Sequence, residues 1–326
     1  MNSRERVRAV LGNQLPDRLP FNFWMDRDRM AALDRALGEN FRVSHYGADV
    51  IETFPDIRFF PAFARNAVYV ADAKTRWVKK YPVDSITMLA EAELPNADDP
   101  GCAAGIRADR VKHPDKALFA LMVTPLEILF GQLGMEQLFY DIADHSDLVD
   151  AVLGRISRVL LKAVDHIADC DIDVLYLAGD ICSTRGEILS GDMLRRFCFR
   201  PVQKIIARAH ERGLKVFFHT DGHVMHILPL FVEYGLDGIN PLQVSANNSY
   251  EAFAAHYSDR LMLYGGIDNC FIIPDGTPAQ VRAHIRHLFG TLGKNGRLIA
   301  SSHDIPSHVP MENLEAMVDE IKRCVY

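Results

Sequence analysis

Two short runs carry side chains whose types and spacing suit chemistry: His219-Thr220-Asp221-Gly222 and Ser302-His303. An imidazole and a carboxylate two residues apart at the end of a strand point to one side, and there they can hold a divalent metal with His303 as third ligand. Three protein ligands with a fourth position open is the pattern of catalytic zinc. The alternative is that Asp221 caps the helix that follows and His219 hydrogen-bonds to it, with no metal. His223 and His226 extend the run to HxDxHxxH. They fall at the start of the following helix, where a surface or substrate-edge role is expected.

Further polar residues stand where apolar runs end: Asn22, Glu52, Thr124, Asp180, Gln243, Asp268 and Ser302. Asp180 and Glu52 are the candidate catalytic groups, able to orient a substrate or relay a proton. The alternative for Asp180 is an Asx turn; for Glu52 and Asp268 it is pairing with an arginine such as Arg185. Asn22, Trp24, Thr124, Gln243 and Asp268 are the candidate substrate-binding residues. Phe54 and Phe271 add to an apolar wall or to the core. Cys182 has no partner base, so packing is expected rather than nucleophilic attack. Gly265-Gly266 matches the phosphate-cradling loops of barrels, without a helix N-terminus close behind it.

The elements that must position these residues recur as one unit: a short apolar run, a polar loop, then a helical pattern. The runs are Leu19–Phe23, Asp49–Thr53, Ala117–Val123, Val174–Gly179, Val216–Thr220, Gly238–Leu242, Leu261–Gly265 and Leu298–Ser302. Each is near-continuously apolar, as parallel strands covered on both faces are. Helices are expected over Asp147–Ala168, Asp192–Arg212, Val224–Tyr234, Pro278–Leu292 and Met311–Cys324, with Thr277 as an N-cap. Eight such units predict a single α/β domain over residues 1–326, a (β/α)8 TIM barrel, rather than an open doubly wound sheet, for which a Gly-rich fingerprint is lacking. An insertion after strand 2, residues 54–116, is expected to carry strands at Ile57–Phe60, Ala67–Val70 and Thr75–Lys80.

A net charge of −7 over 326 residues argues against a nucleic-acid surface. The N-terminal run lacks the apolar stretch of a signal peptide, and no apolar run reaches the ~18 residues of a membrane helix. The six cysteines are scattered, which reads as reduced thiols and predicts a cytoplasmic protein.

Four stretches carry a wider likeness: Gly213-Leu-Lys-Val-Phe-Phe-His-Thr-Asp-Gly222, Glu233-Tyr-Gly-Leu-Asp-Gly-Ile-Asn-Pro-Leu-Gln243, Tyr264-Gly-Gly-Ile-Asp268, and Ser302-His-Asp-Ile-Pro306 with Val309-Pro-Met-Glu-Asn-Leu314. On these the chain resembles the uroporphyrinogen decarboxylase superfamily from Arg4 to about Lys322. The resemblance implies the same barrel and two kinds of activity. One is decarboxylation without metal. The other is methyl transfer between a small methylated substrate and a corrinoid protein, with zinc, as in the methylcobalamin:coenzyme M methyltransferase and corrinoid-dependent demethylase branch.

Departures from the family pattern separate the two. Decarboxylases carry Arg-Gln-Ala-Gly-Arg after the first strand, where this chain reads Phe23-Trp-Met-Asp-Arg27. A multiply anionic substrate would then bury uncompensated charge. The methyltransferase branch holds zinc with His-x-Cys-Gly and a later Cys. Here His219 is kept, Asp221 replaces the first cysteine, and His303 stands near the second. Gly179-Asp180 replaces a pair of Asp residues. The resemblance thus implies a metal-dependent methyltransferase with zinc on His219, Asp221 and His303 and a corrinoid supplied by a partner protein, in a chain that forms a homodimer in some relatives. The alternatives are a metal-free decarboxylase of a smaller acid, with His219 or Asp180 as proton donor, and a non-catalytic ligand-binding barrel.

Overall fold

The computed structural model describes residues 1–71 and 76–326. Seven parallel strands form one sheet whose spatial order follows the chain: β1 Val50–Thr53, β2 Ala117–Val123, β3 Val174–Ala178, β4 Lys215–His219, β5 Gly238–Asn240, β6 Met262–Gly266 and β7 Leu298–Ser301. Each pairs with the next in parallel, and the sheet is curled. The first expected strand is an extended segment that bridges the two edges. Ala300 N–H donates to Pro20 O and Asn22 N–H to Ala300 O, while Asp49 N–H donates to Phe21 O.

Side chains alternate between the two faces of the curl. One face packs Val50, Phe119, Val174, Tyr176, Phe217, Met262, Tyr264 and Ile299 into a single cluster. The other turns Leu118, Leu175, Leu177, Val216, Phe218, Leu263 and Leu298 toward the helices. Rings on the inner face meet edge to face, Phe119 lying 5.8 Å from Phe217 and 5.1 Å from Tyr264. Truncating Phe217 to Ala in this packing would cost about 3–5 kcal/mol.

The chain start closes the N-terminal end of the sheet. Helix α1 (Ser3–Leu11) adds Val7, Val10 and Leu11 to the inner cluster, and Arg4 N–H donates to Asp115 O just before β2. Buried Asp49 receives Arg6 at 2.7 Å, Arg18 at 2.9 Å and the Phe21 N–H at 3.0 Å. Two guanidiniums and one amide satisfy that carboxylate. They also fix the segment carrying Asn22 and Trp24.

The long helix α2 (Ser146–Ala168) packs against α3 (Arg200–Glu211) on the outside. The expected helix Asp192–Arg212 is split, with a π-helical turn at Leu194–Phe199. Val224–Tyr234 shortens to α4 (Leu228–Glu233). Its start is taken by a turn, because Val224 N–H is held by the Asn248 side chain at 2.9 Å. Pro278–Leu288 begins with Thr277 and Gln280 capping each other as a box. Between β1 and β2, Ile57–Phe60 is not a strand, and Phe60 takes a left-handed conformation with φ 54°. Val68–Ala71 and Arg76–Lys80 pair antiparallel; Thr75, expected to begin the second of these, lies outside the described residues. No helix among the described residues is long and apolar enough to cross a membrane.

Candidate functional site

Strand alternation places the site. The inner-face positions that carry Phe217, Tyr176 and Tyr264 continue two residues on, or one strand over, to His219, Asn240 and Glu52. All of these open on a cavity of about 370 Å³ at the C-terminal ends of the strands, or lie just beneath it. This is the end where barrels of this class put their chemistry.

The trio named by spacing comes together: one donor atom from each of His219, Asp221 and His303 lies within 4.8 Å of the others. His303 Nε2 is 3.3 Å from Asp221 Oδ2, and the two imidazoles stack at 5.3 Å. Asp221 does not cap a helix. Its Oδ1 is buried with no hydrogen-bond partner. Burial raises its pKa, against the pull of His303 and His219. A buried, unpartnered carboxylate oxygen beside two imidazoles is a donor set that fits a borderline divalent metal.

The hydrogen bonds behind His219 fix its tautomer. The Asn240 amide donates through Nδ2 to the Tyr264 carbonyl, so Oδ1 faces the other way. That oxygen can only accept, and it takes both the Tyr176 hydroxyl at 2.6 Å and His219 Nδ1–H at 2.7 Å. The proton is therefore on Nδ1, and Nε2 keeps its lone pair. Nε2 lies 3.7 Å from Asp180 Oδ1. An imidazole so held is ready to ligate through Nε2.

Glu52 lines the same cavity, buried. Trp24 Nε1–H donates to it at 2.5 Å and Asn22 Nδ2 at 3.3 Å, and the Tyr264 hydroxyl donates as well. Burial nevertheless raises its carboxyl above the usual range. Arg42, not Arg185, is the cation nearby; it lies 4.5 Å over the Trp24 ring and donates to Phe23 O at 2.8 Å.

The other expected residues are placed differently. Asp180 is exposed at the cavity edge and accepts from Asp221 N–H at 3.4 Å. Trp24 lines the cavity, with Phe54 6.4 Å away edge to face. Asn22 lies beneath it, bonded to Glu52 and to Tyr264 at 2.9 Å. Thr124 caps the helix Pro125–Leu133. Gln243 accepts from Gly222 N–H at 2.9 Å, bracing the loop that carries Asp221. Asp268 holds the turn after β6, accepting from Cys270 and Phe271 N–H at 2.9 and 3.1 Å. Gly265 is needed for close packing, since a Cβ there would fall 2.0 Å from the Pro241 carbonyl oxygen. Cys182 is buried and its thiol pushed up to about 12, out of range for a nucleophile.

Sequence reasoning missed Tyr176, Asn240, Tyr264 and Glu127. Glu127 lines the cavity, accepts from Asp180 N–H at 3.0 Å, and is raised by burial. Thr124-x-x-Glu127 has the spacing of a capping box. The box does not form, because Thr124 N–H is already given to Ala178 O. The carboxylate turns into the cavity instead.

Residues 39–324 match the family described as uroporphyrinogen decarboxylase (URO-D). This chain belongs to that family. No curated protein matches its sequence. Among solved structures, a methyltransferase from Methanosarcina mazei superposes over 99% of both chains with TM-score 0.76 at 16% identity, so the two share a fold. A pneumococcal exo-β-D-N-acetylglucosaminidase module aligns over 95% of this chain and 84% of its own, with TM-score 0.45 and 13% identity. A sugar phosphate isomerase/epimerase from Parabacteroides distasonis aligns over 93% and 94%, with TM-score 0.45 and 9% identity. Both overlays are too loose to bear on the site. Within this URO-D family member, no Lys or Arg among the described residues lines the cavity, whereas Glu52, Glu127, Asp180 and Asp304 do.

Proposed function

We infer that this protein moves a methyl group between a small methylated compound and a corrinoid carried by a separate protein. The observation that carries the reading is the His219–Asp221–His303 trio with its unpartnered Asp221 oxygen. Membership of the URO-D family and the fold shared with a methyltransferase support it. His219, Asp221 and His303 would hold zinc, which when bound supplies a Lewis acid for the heteroatom that gives up the methyl group.

The remaining work falls to side chains of the chain itself. Asn240 and Tyr176 hold His219 in one tautomer. Asp180, 3.7 Å from His219 Nε2, takes up or passes on a proton at Oδ1. Glu52, fixed by Trp24 and Tyr264, orients the substrate. Trp24 and Leu121 line the cavity with apolar surface that keeps water low. We read the sheet with its Pro20–Asn22 bridge as a closed (β/α)8 barrel of one domain, residues 54–116 being an insertion at its mouth.

The cavity does not favour decarboxylation of a polyanionic substrate, which would meet carboxylates without a lining cation. A metal-free decarboxylase of a smaller acid is the second reading, favoured by activity that survives chelation. The test is methyl transfer to a reduced corrinoid protein, followed by corrinoid absorption. His219→Ala should abolish it; normal turnover by that variant would refute the mechanism.

A further inference from the structure

The cavity has an unbalanced charge. Glu52 has Arg42 nearby, but Glu127, Asp180 and Asp304 form no ion pair with Lys or Arg among the described residues, and all three line the cavity. Glu127 has one amide donor at 3.0 Å and no cation, although most of its carboxyl is out of water. A divalent metal on the His219–Asp221–His303 trio would not restore balance. Asp221 would offset half of its charge, leaving three carboxylates against the remainder.

Two further observations concern the ligand itself. The cavity, about 370 Å³, is the size that takes a small organic molecule. Part of its wall is aromatic, Trp24 and Phe54 packing edge to face at 6.4 Å, with Arg42 4.5 Å over the Trp24 ring. Carboxylates in a small cavity with aromatic walls favour ammonium groups, chiefly by charge, with the rings supplying apolar surface for the carbon groups around the nitrogen. Anions are repelled by the same lining, and neutral isosteres gain nothing from it.

We propose that the substrate of this site carries an ammonium group, seated against Glu127, Asp180 and Asp304, while the atom that loses its methyl faces the His219–Asp221–His303 trio. This rests on the methyltransferase reading for the identity of the reaction, but the charge preference itself can be measured without any methyl transfer.

The experiment is titration calorimetry of the purified chain with three probes of nearly one shape: choline, its neutral carbon isostere 3,3-dimethyl-1-butanol, and the anion 3,3-dimethylbutanoate. Choline should bind at least about tenfold more tightly than the alcohol, and the acid should not bind. Glu127→Gln and Asp180→Asn should each weaken choline about tenfold and leave the alcohol unchanged. Equal binding of choline and the alcohol, preference for the acid, or binding of none of the three would overturn the proposal. Choline binding by a chain that transfers no methyl group would instead sink the methyltransferase reading alone.

Discussion

His219 Nδ1–H donates to Asn240 Oδ1 at 2.7 Å, and the Asn240 amide is in turn locked by the Tyr264 carbonyl. Adjacent strands carry the pair in register, His219 opposite Asn240. Loss of the acceptor frees the imidazole to rotate or to move its proton to Nε2. Asn240→Leu is therefore expected to weaken zinc binding by about 10–100-fold. It should also cost ~1–3 kcal/mol of stability, because the Tyr176 hydroxyl loses a buried partner. Zinc affinity equal to wild type, measured by competition with a chelator, would show that this bond does not set the tautomer.

Gly179 and Thr124 are a second coupled pair. A Cβ at 179 would lie 2.5 Å from Thr124 Oγ1. Gly179→Ala should thus destabilise the chain by ~1–3 kcal/mol. Adding Thr124→Ala should recover part of that loss, beyond what the lost helix cap takes away, a coupling of ~0.5–3 kcal/mol read from a double-mutant cycle in urea. Strict additivity would remove the steric account. With Thr124 in place there is no room for a side chain at position 179.

Much of this was legible in advance. Near-continuous apolar runs such as Ala117–Val123 and Val174–Gly179, recurring between helical patterns, read as strands covered on both faces, and the ends of such runs named His219, Asp180 and Glu52. Other features were hidden for physical reasons. Tyr176, Asn240 and Tyr264 lie inside strands, where a buried aromatic or amide looks like core until the register shows what stands beside it. Glu127 stands three residues after Thr124, the spacing of a capping box, and nothing in that spacing tells that Thr124 N–H is taken by Ala178 O and the carboxylate turned inward. Ile57–Phe60 has the composition of a strand but no neighbour to pair with, and composition does not report neighbours.

Two sets of carboxyls make stability depend on pH in opposite senses. Hydrogen bonds from Arg6 hold Asp17, and those from Arg4 hold Asp171, below the usual carboxylate range. Such groups stabilise the fold above their unfolded pKa, about 3.9, and lose that contribution as pH falls through the lower folded value. Melting temperature should drop from about pH 4 downward. Arg4→Met and Arg6→Met should flatten that drop; an unchanged acid limb would contradict the assignment.

Glu127 works the other way. Burial raises its pKa, so the folded state holds its proton more tightly than the unfolded chain. The stabilisation is present at low pH and is lost as pH rises through the folded pKa. Glu127→Gln should raise the melting temperature at pH 7, by about 1–3 °C, and the gain should fade below the unfolded pKa of about 4.3. A variant less stable than wild type at pH 7 would mean that the carboxylate is better solvated or better paired than its surroundings indicate. Activity should fall even as stability rises.

The claim on which the rest depends is that His219, Asp221 and His303 form a metal site. Elemental mass spectrometry of the purified, untagged chain tests it most directly. About one zinc per chain is expected, lost in His219→Ala and in Asp221→Ala but kept in His226→Ala, whose ring packs 4.7 Å from His223 instead. No zinc after zinc has been supplied, or full zinc in His219→Ala, would contradict the account and leave acid–base chemistry at Asp180 and Glu52 to explain the cavity.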